Sequence, residues 1–202
     1  MADVASAAIG STATGHYGAA GSGLTLREAT IAAAWNVQGD PTQPAFVAEA
    51  RRLFQLDLPT EPDTTAKSGA LAALWLGPIS WLLIAGGSSP LFDFMAKRDA
   101  VNAVGGALFD LSASRVAYTL SGARAPAVLA TGCPLDFHPR AFAAGECRQS
   151  LYGHIGVLID KRDETPTFTL LIPRSFARDA WHALCLTGAQ YGYEVRPPAP
   201  LA

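Results

Sequence analysis

Between Gly132 and Ser150 the chain reads Gly132-Cys133-Pro134-Leu135-Asp136-Phe137-His138-Pro139-Arg140-Ala141-Phe142, with Cys147-Arg148-Gln149-Ser150 close behind. A thiol, a carboxylate, an imidazole and a guanidinium thus fall within eight residues. Three kinds of chemistry can be written for them. Cys133 could act as a nucleophile if His138 lay within reach as its base and the setting lowered the thiol pKa. Cys133, His138 and Cys147 could ligate a metal, but zinc sites favour a close paired spacing, whereas four and eight residues intervene here and no fourth ligand is near. The third reading is a rigid corner. Pro134 and Pro139 restrict the backbone on either side of Asp136, Cys133 packs as a small hydrophobe, and Asp136 and Arg140 pair with each other or cap neighbouring backbone. The corner is preferred, because free cysteine is among the most buried residue types and proximity in sequence does not make a Cys–His hydrogen bond.

No catalytic, cofactor-binding or metal-ligating residue is therefore assigned. Cys133, Asp136, His138 and Arg140 are candidates for a structural or interface role, as are His154 and Arg174 further along. His154 follows Gly153 at the head of an apolar strand and reads as a hairpin or interface residue. His16 and His182 have no acidic partner at a spacing that argues catalysis. The pairs Gly86-Gly87 and Gly105-Gly106 do not make the G-x-G-x-x-G dinucleotide fingerprint, and no P-loop motif occurs.

The corner needs elements to hold it. Arg124 to Thr131 reads as a short helix leading into it. Apolar strands are expected at Gln149–Tyr152, Ile155–Ile159 and Phe168–Ile172, with Lys161 to Pro166 as a charged hairpin tip. Ser175 is placed to N-cap a last helix whose Phe176, Ala180, Trp181 and Leu184 share a face. Earlier, Leu24 to Val37 reads as strands. Gly39-Asp40-Pro41 opens a helix with Phe46, Val47, Ala50, Leu53 and Phe54 at helical spacing and Arg51-Arg52 facing water; it ends at Leu58-Pro59. Leu71–Trp75 and Trp81–Ile84 form a hairpin. Ser89-Pro90 caps another helix, with Leu91, Phe92, Met95 and Ala96 on one face. Leu108–Leu111 and the alternating Val116, Tyr118, Leu120 read as strands opening a second half. The expected fold is α+β in two similar mixed lobes, 24–104 and 105–196, with a flexible arm at 1–23, disordered alone, and a tail at 197–202.

Composition narrows the function. Half of the 202 residues are hydrophobic and 16% are charged, a surface poor enough in charge to favour cover by partner chains. A net charge of −2 with no block of like charge argues against nucleic acid. Three cysteines and no secretion-type N-terminal pattern fit a reducing cytoplasm. The apolar run from Ala70 to Ala85 is broken by Gly77-Pro78 and falls short of the ~20 residues a membrane span needs.

The run Cys133 to Phe142, with Gly145-Glu146-Cys147-Arg148-Gln149-Ser150-Leu151, resembles the signature of the gamma subunit of heterotetrameric sarcosine oxidase. Leu58-Pro59-Thr60-Glu61-Pro62, Leu74 to Leu83, Asp110-Leu111-Ser112, Ser114-Arg115, Pro166-Thr167-Phe168 and Arg174-Ser175-Phe176-Ala177 resemble further blocks of that family, so the likeness runs from about Leu26 to Leu184. It implies the glycine-cleavage T-protein-like (aminomethyltransferase, folate-binding) fold without its C-terminal barrel. It also implies a complex that demethylates sarcosine to glycine with FAD, FMN and NAD held by larger subunits, passing the one-carbon unit to tetrahydrofolate or releasing formaldehyde. The implied partners are the alpha, beta and delta subunits, alpha foremost. The chain itself is expected to be architectural and to hold no cofactor, because Gly153 to Asp160 carries apolar residues where folate-dependent aminomethyltransferases place an acidic one. The alternative is a stand-alone folate-dependent aminomethyl or one-carbon transferase; a cysteine hydrolase built on Cys133 and His138 ranks below both.

Overall fold

A computed structural model describes residues 13–20, 23–87 and 92–201. In chain order the elements are β1 (Gly15–Tyr17), β2 (Thr25–Thr30), β3 (Ala33–Gln38), α1 (Pro44–Phe54), β4 (Thr65–Ser68), β5 (Leu71–Gly77), β6 (Ser80–Ala85), α2 (Phe94–Ala103), β7 (Ala107–Asp110), β8 (Arg115–Ser121), α3 (Ala125–Gly132), β9 (Glu146–Tyr152), β10 (Ile155–Lys161), β11 (Thr167–Pro173), α4 (Ala177–Gly188) and β12 (Tyr193–Pro200). The fold is mixed α+β with two sheets, and the chain divides into two compact units. One comprises Met1–Thr30 and Ser114–Ala199, the other Ile31–Ala113 and Pro200–Ala202.

The second of these units holds the five-stranded sheet, in the order β4-β5-β6-β3-β7. Alternate residues of its strands, Trp35 and Val37, Leu71 and Ala73, Trp81 and Leu83, share one apolar core with Phe46, Ala50, Leu53 and Phe54 of α1. The 3.6-residue period of α1 puts those four side chains on one stripe. Gln55, in the left-handed conformation at φ 53°, ends the helix. Phe46 stacks on Trp81 with ring centroids 6.0 Å apart. A Cβ at Gly39 would stand 2.2 Å from the Phe46 ring, so this glycine is required by close approach.

The first unit holds the seven-stranded sheet, in the order β1-β12-β2-β8-β11-β10-β9. The alternation of Val116, Tyr118 and Leu120 is matched by Ile155, Val157 and Ile159 and by Phe168, Leu170 and Ile172, all in one core with Val128 and Leu129 of α3 and Ala180, Trp181 and Leu184 of α4. Both units run strand, helix, three strands, helix, strand: β3-α1-β4-β5-β6-α2-β7 and β8-α3-β9-β10-β11-α4-β12. They differ at one place. β7 lies beside β3, whereas β2 takes the place beside β8 and β12 lies beyond it.

Several expectations are corrected by this arrangement. Leu24 to Val37 does form strands, but β2 pairs with β8 and β3 pairs with β6 and β7, so the two belong to different sheets. The unit boundary therefore falls at Thr30/Ile31 and Ala113/Ser114 and not at 104/105, and β7 belongs with β3. The tail at 197–202 is part of β12 as far as Pro200, and Leu201 is buried. Lys161 closes β10 and is buried, so the charged tip begins at Arg162. Ser175 does not cap α4; residues Arg174–Phe176 form a 3-10 turn and Phe176 precedes the helix without a side-chain cap, itself 39% exposed. Ser89-Pro90 and Leu91 lie outside the described residues. Phe92 and Met95 are exposed, and α2 instead turns Val101 inward and sets Phe94 edge-on to Trp35. Of the arm at 1–23, residues 1–12 and 21–22 lie outside the described residues, while Gly15–Tyr17 pair with Tyr193–Val195.

Candidate functional site

α3 ends at Gly132, where a Cβ would stand 2.8 Å from the Tyr152 ring. The Gly132 carbonyl accepts from Gly153 N–H at 2.7 Å, and Cys133 N–H donates to Leu129 O at 2.9 Å. The chain thus leaves the helix against the β9–β10 turn. Cys133 is 4% exposed and its thiol donates to the Ser150 hydroxyl at 3.4 Å. That contact occupies the sulfur with a neutral hydroxyl, which supplies no base for nucleophilic chemistry.

Asp136, His138 and Arg140 do come together, but on the backbone. The Asp136 carboxylate accepts from His138 N–H at 2.8 Å, and His138 Nδ1 accepts from Arg140 N–H at 3.2 Å. The His138 carbonyl accepts from Ala141 N–H and Phe142 N–H. Asp136 and Arg140 do not form the expected ion pair among the described residues; the capping alternative is the one realised. Short polar side chains used this way stabilise a turn. Phe137 and Phe142 anchor it, with Phe137 edge-on to Phe168 at 5.5 Å and Phe142 tilted against Phe168 at 5.9 Å.

Three residues to which sequence reasoning gave no such role, Lys161, Glu146 and Arg148, hold this corner to the sheet. Lys161 Nζ donates to Phe142 O at 2.9 Å, and Gly145 N–H donates to Lys161 O at 2.8 Å. Glu146 accepts from Ala143 N–H at 3.0 Å and pairs with Arg148 at 2.9 Å, while the Arg148 guanidinium lies 5.7 Å from the centroid of the Phe142 ring. The signal was present in the sequence as a lysine ending an apolar run.

His154 sits exposed at the β9–β10 turn and meets Phe176 edge-on at 6.3 Å. Arg174, on the 3-10 turn, donates to Arg115 O at 3.4 Å. Its charge acts on Glu28, another residue the sequence did not flag: Glu28 is 5% exposed, pairs in register with Tyr118 and leaves Oε2 without a hydrogen-bond partner. Burial raises the Glu28 pKa above the ordinary glutamate range, and Arg174 opposes that rise. The Tyr118 hydroxyl, raised by burial, donates to Ala177 O at 2.9 Å. Burial likewise raises Tyr152, whose hydroxyl contacts Thr187 Oγ1 at 2.8 Å. Among the described residues no group of three or more His, Cys, Asp or Glu could hold a metal ion, and no helix is long and apolar enough to cross a membrane.

Comparison with known proteins fits this geometry. Residues 38–190 match the model of the sarcosine oxidase, gamma subunit family. The chain is 34% identical over 160 residues to sarcosine oxidase subunit gamma of Arthrobacter sp., covering 79% of this chain and 76% of that one. It is 33% identical over 176 residues to the subunit gamma of Corynebacterium sp. strain P-1, covering 85% and 83%. Among solved structures, a chain of heterotetrameric sarcosine oxidase from Corynebacterium sp. U-96, in complex with pyrrole 2-carboxylate, superposes with TM-score 0.74 at 27% identity over 87% of this chain and 88% of that one. Aminomethyltransferase T of the glycine cleavage system from Bartonella henselae shares the fold, with TM-score 0.61 at 16% identity over 88% of this chain and 48% of that chain. The chain belongs to the sarcosine oxidase gamma subunit family.

Proposed function

We propose that this chain is the gamma subunit of a heterotetrameric sarcosine oxidase-type complex and that its own role is architectural. The complex demethylates sarcosine to glycine and hands the one-carbon unit to tetrahydrofolate or releases it as formaldehyde, with FAD, FMN and NAD on its larger subunits. This chain packs on the alpha subunit beside beta and delta. The observation that supports an architectural role is where the signature residues direct their polar groups: Cys133 to Ser150, Asp136 and His138 to adjacent N–H groups of one turn. A site needs convergent groups aimed at a common point outside themselves, and these are aimed at a neighbouring hydroxyl and at their own backbone. The chain corresponds to part of the aminomethyltransferase fold, matching 48% of the Bartonella henselae protein.

Co-expression with the flavin-bearing subunits tests the reading. The expected product is a stable complex that contains this chain, while the isolated chain is colourless and does not oxidise sarcosine. A flavin-loaded monomer that turns over sarcosine unaided overturns it. Tight tetrahydrofolate binding by the isolated chain would instead favour a stand-alone one-carbon transferase.

A further inference from the structure

An apolar cavity of about 110 Å³ opens beside α1, lined by Phe46, Val47, Ala50, Leu58 and Trp81, with Asp57 in its wall. Trp81 does not offer a donor to it, because its indole N–H is already given to Pro59 O at 2.6 Å. Two shallow surface depressions adjoin the cavity. One shares Pro41 and Val47 with it and continues to Arg51 and Arg52; the other shares Asp57 and continues past Arg51 to Lys67. Together they make a groove with one deep point. Val47 stands 38% exposed beside it, an apolar side chain left facing outward on an otherwise amphipathic helix.

Size decides what fits. Small-molecule and cofactor pockets run to roughly 300–1,000 Å³, so the cavity itself is too small for a flavin, a nucleotide or a folate. An apolar cavity of about 150 Å³ takes a ligand the size of benzene, so this one has room for a single aliphatic side chain. Charge decides what flanks it. The two depressions carry Arg51, Arg52 and Lys67 against the carboxylate of Asp57, with Glu49 holding Arg52 at 2.6 Å, so one net positive charge remains. Arg51 and Asp57 pair with both side chains 66% exposed, an arrangement weak enough for an incoming carboxylate to exchange into. We propose that this groove receives an extended segment of a partner polypeptide, which sets one Leu, Ile or Met side chain into the cavity and acidic residues against Arg51 and its neighbours. A buried apolar anchor with a polar rim is how interfaces concentrate their affinity. The inference rests on the reading of this chain as a subunit that works by packing on partner chains.

The test uses Val47→Trp to plug the cavity and Arg51→Glu to reverse the rim, each titrated against the co-expressed alpha, beta and delta subunits. Both side chains are exposed, so thermal melts of the isolated variants should match the parent. The expected result is affinity lowered by about tenfold or more for each variant, with no change for Leu186→Glu on α4, a 68% exposed site in the other unit. Unchanged affinity for both groove variants overturns the groove while leaving the subunit reading intact, because the parent chain still assembles. Failure of the parent chain to join the other subunits overturns the subunit reading instead. A photo-crosslinking benzoylphenylalanine at position 47 reads the occupant directly. A crosslinked partner peptide carrying an aliphatic residue among acidic ones supports the proposal; a peptide without them, or one from a second copy of this chain, overturns it.

Discussion

Lys161 and Phe142 meet across the base of the Cys-Pro-Leu-Asp corner, the lysine ammonium donating to the phenylalanine carbonyl at 2.9 Å from a side chain only 2% exposed. A buried cation is tolerated only where it is hydrogen-bonded, and here the acceptor is the turn itself. Replacing Lys161 with Met keeps the aliphatic stem but leaves that carbonyl unpaired, at a cost of about 1–3 kcal/mol. Urea titration of the isolated chain should show a lower midpoint with the slope unchanged. A midpoint equal to that of the parent would show that the bond holds nothing.

His138→Ala removes an acceptor for Arg140 N–H but touches no reacting group under the proposed function. Loss of a local side-chain cap costs about 1 kcal/mol. The expected outcome is a lower melting temperature and weaker assembly, with turnover per intact complex nearly unchanged. A large drop in kcat in fully assembled complex would return His138 to chemistry.

Cys133 and Cys147 are 4% and 0% exposed, and burial raises the pKa of the half-buried Cys185 thiol. Alkylation follows thiolate population and access. An iodoacetamide time course on the native chain should leave Cys133 and Cys147 unmodified and label Cys185 slowly, all three reacting at once in denaturant. Rapid labelling of Cys133 in the folded protein would revive the nucleophile.

Glu28 makes stability depend on pH in an unusual direction for a carboxylate. Its pKa is raised in the fold, so between the ordinary value of 4.5 and the raised one the native state binds the proton more strongly than the unfolded chain. Its contribution is fully present below the unfolded value and is lost as pH rises through the folded value. Glu28→Gln should therefore stabilise the chain at pH 7, by about 1–2 kcal/mol, and flatten its stability profile above pH ~4.5. A steeper profile, or a destabilised variant at pH 7, would mean that the ionised form is the one held in the fold.

Gly122 adopts φ +112°, and a Cβ there would stand 2.4 Å from the Gly23 carbonyl oxygen. Because the opposing atom is backbone, no side chain can give way. Gly122→Ala should cost about 1–3 kcal/mol, visible as a lower denaturant midpoint, with the reverse result expected only if the turn rearranges.

Local patterns were legible in the sequence where one element decides its own burial. The stripe of α1 at 46, 50, 53 and 54, the 116, 118, 120 alternation of β8 and the β5–β6 hairpin are all encoded in neighbouring residues, although Val47, read as part of that stripe, is 38% exposed. The partner of β2 was not, because pairing with β8 is a long-range choice that β2's own alternation does not specify. β12 was hidden by Pro197 and Pro198, yet its ladder to β1 runs through Tyr193–Val195, before the prolines begin. Phe92 shows another limit: spacing tells which residues share a face, not whether anything covers it. At the corner, sequence named Asp136, His138 and Arg140, but Lys161 acts through a contact that forms only after the sheet does, as Glu28 does elsewhere in that sheet.

The place of β12 between β1 and β2 has a consequence for synthesis. Domains fold as units as the chain emerges, N-terminal parts first, and the five-stranded sheet has all its strands once residue 110 is made. The seven-stranded sheet cannot close then. β1 has β12 as its neighbour, so a segment near the start of the chain must wait for residues 193–195. During translation the N-terminal strand is held open until residues 193–195 have been made, and a nascent chain paused before them would carry one complete sheet and one with a vacant slot.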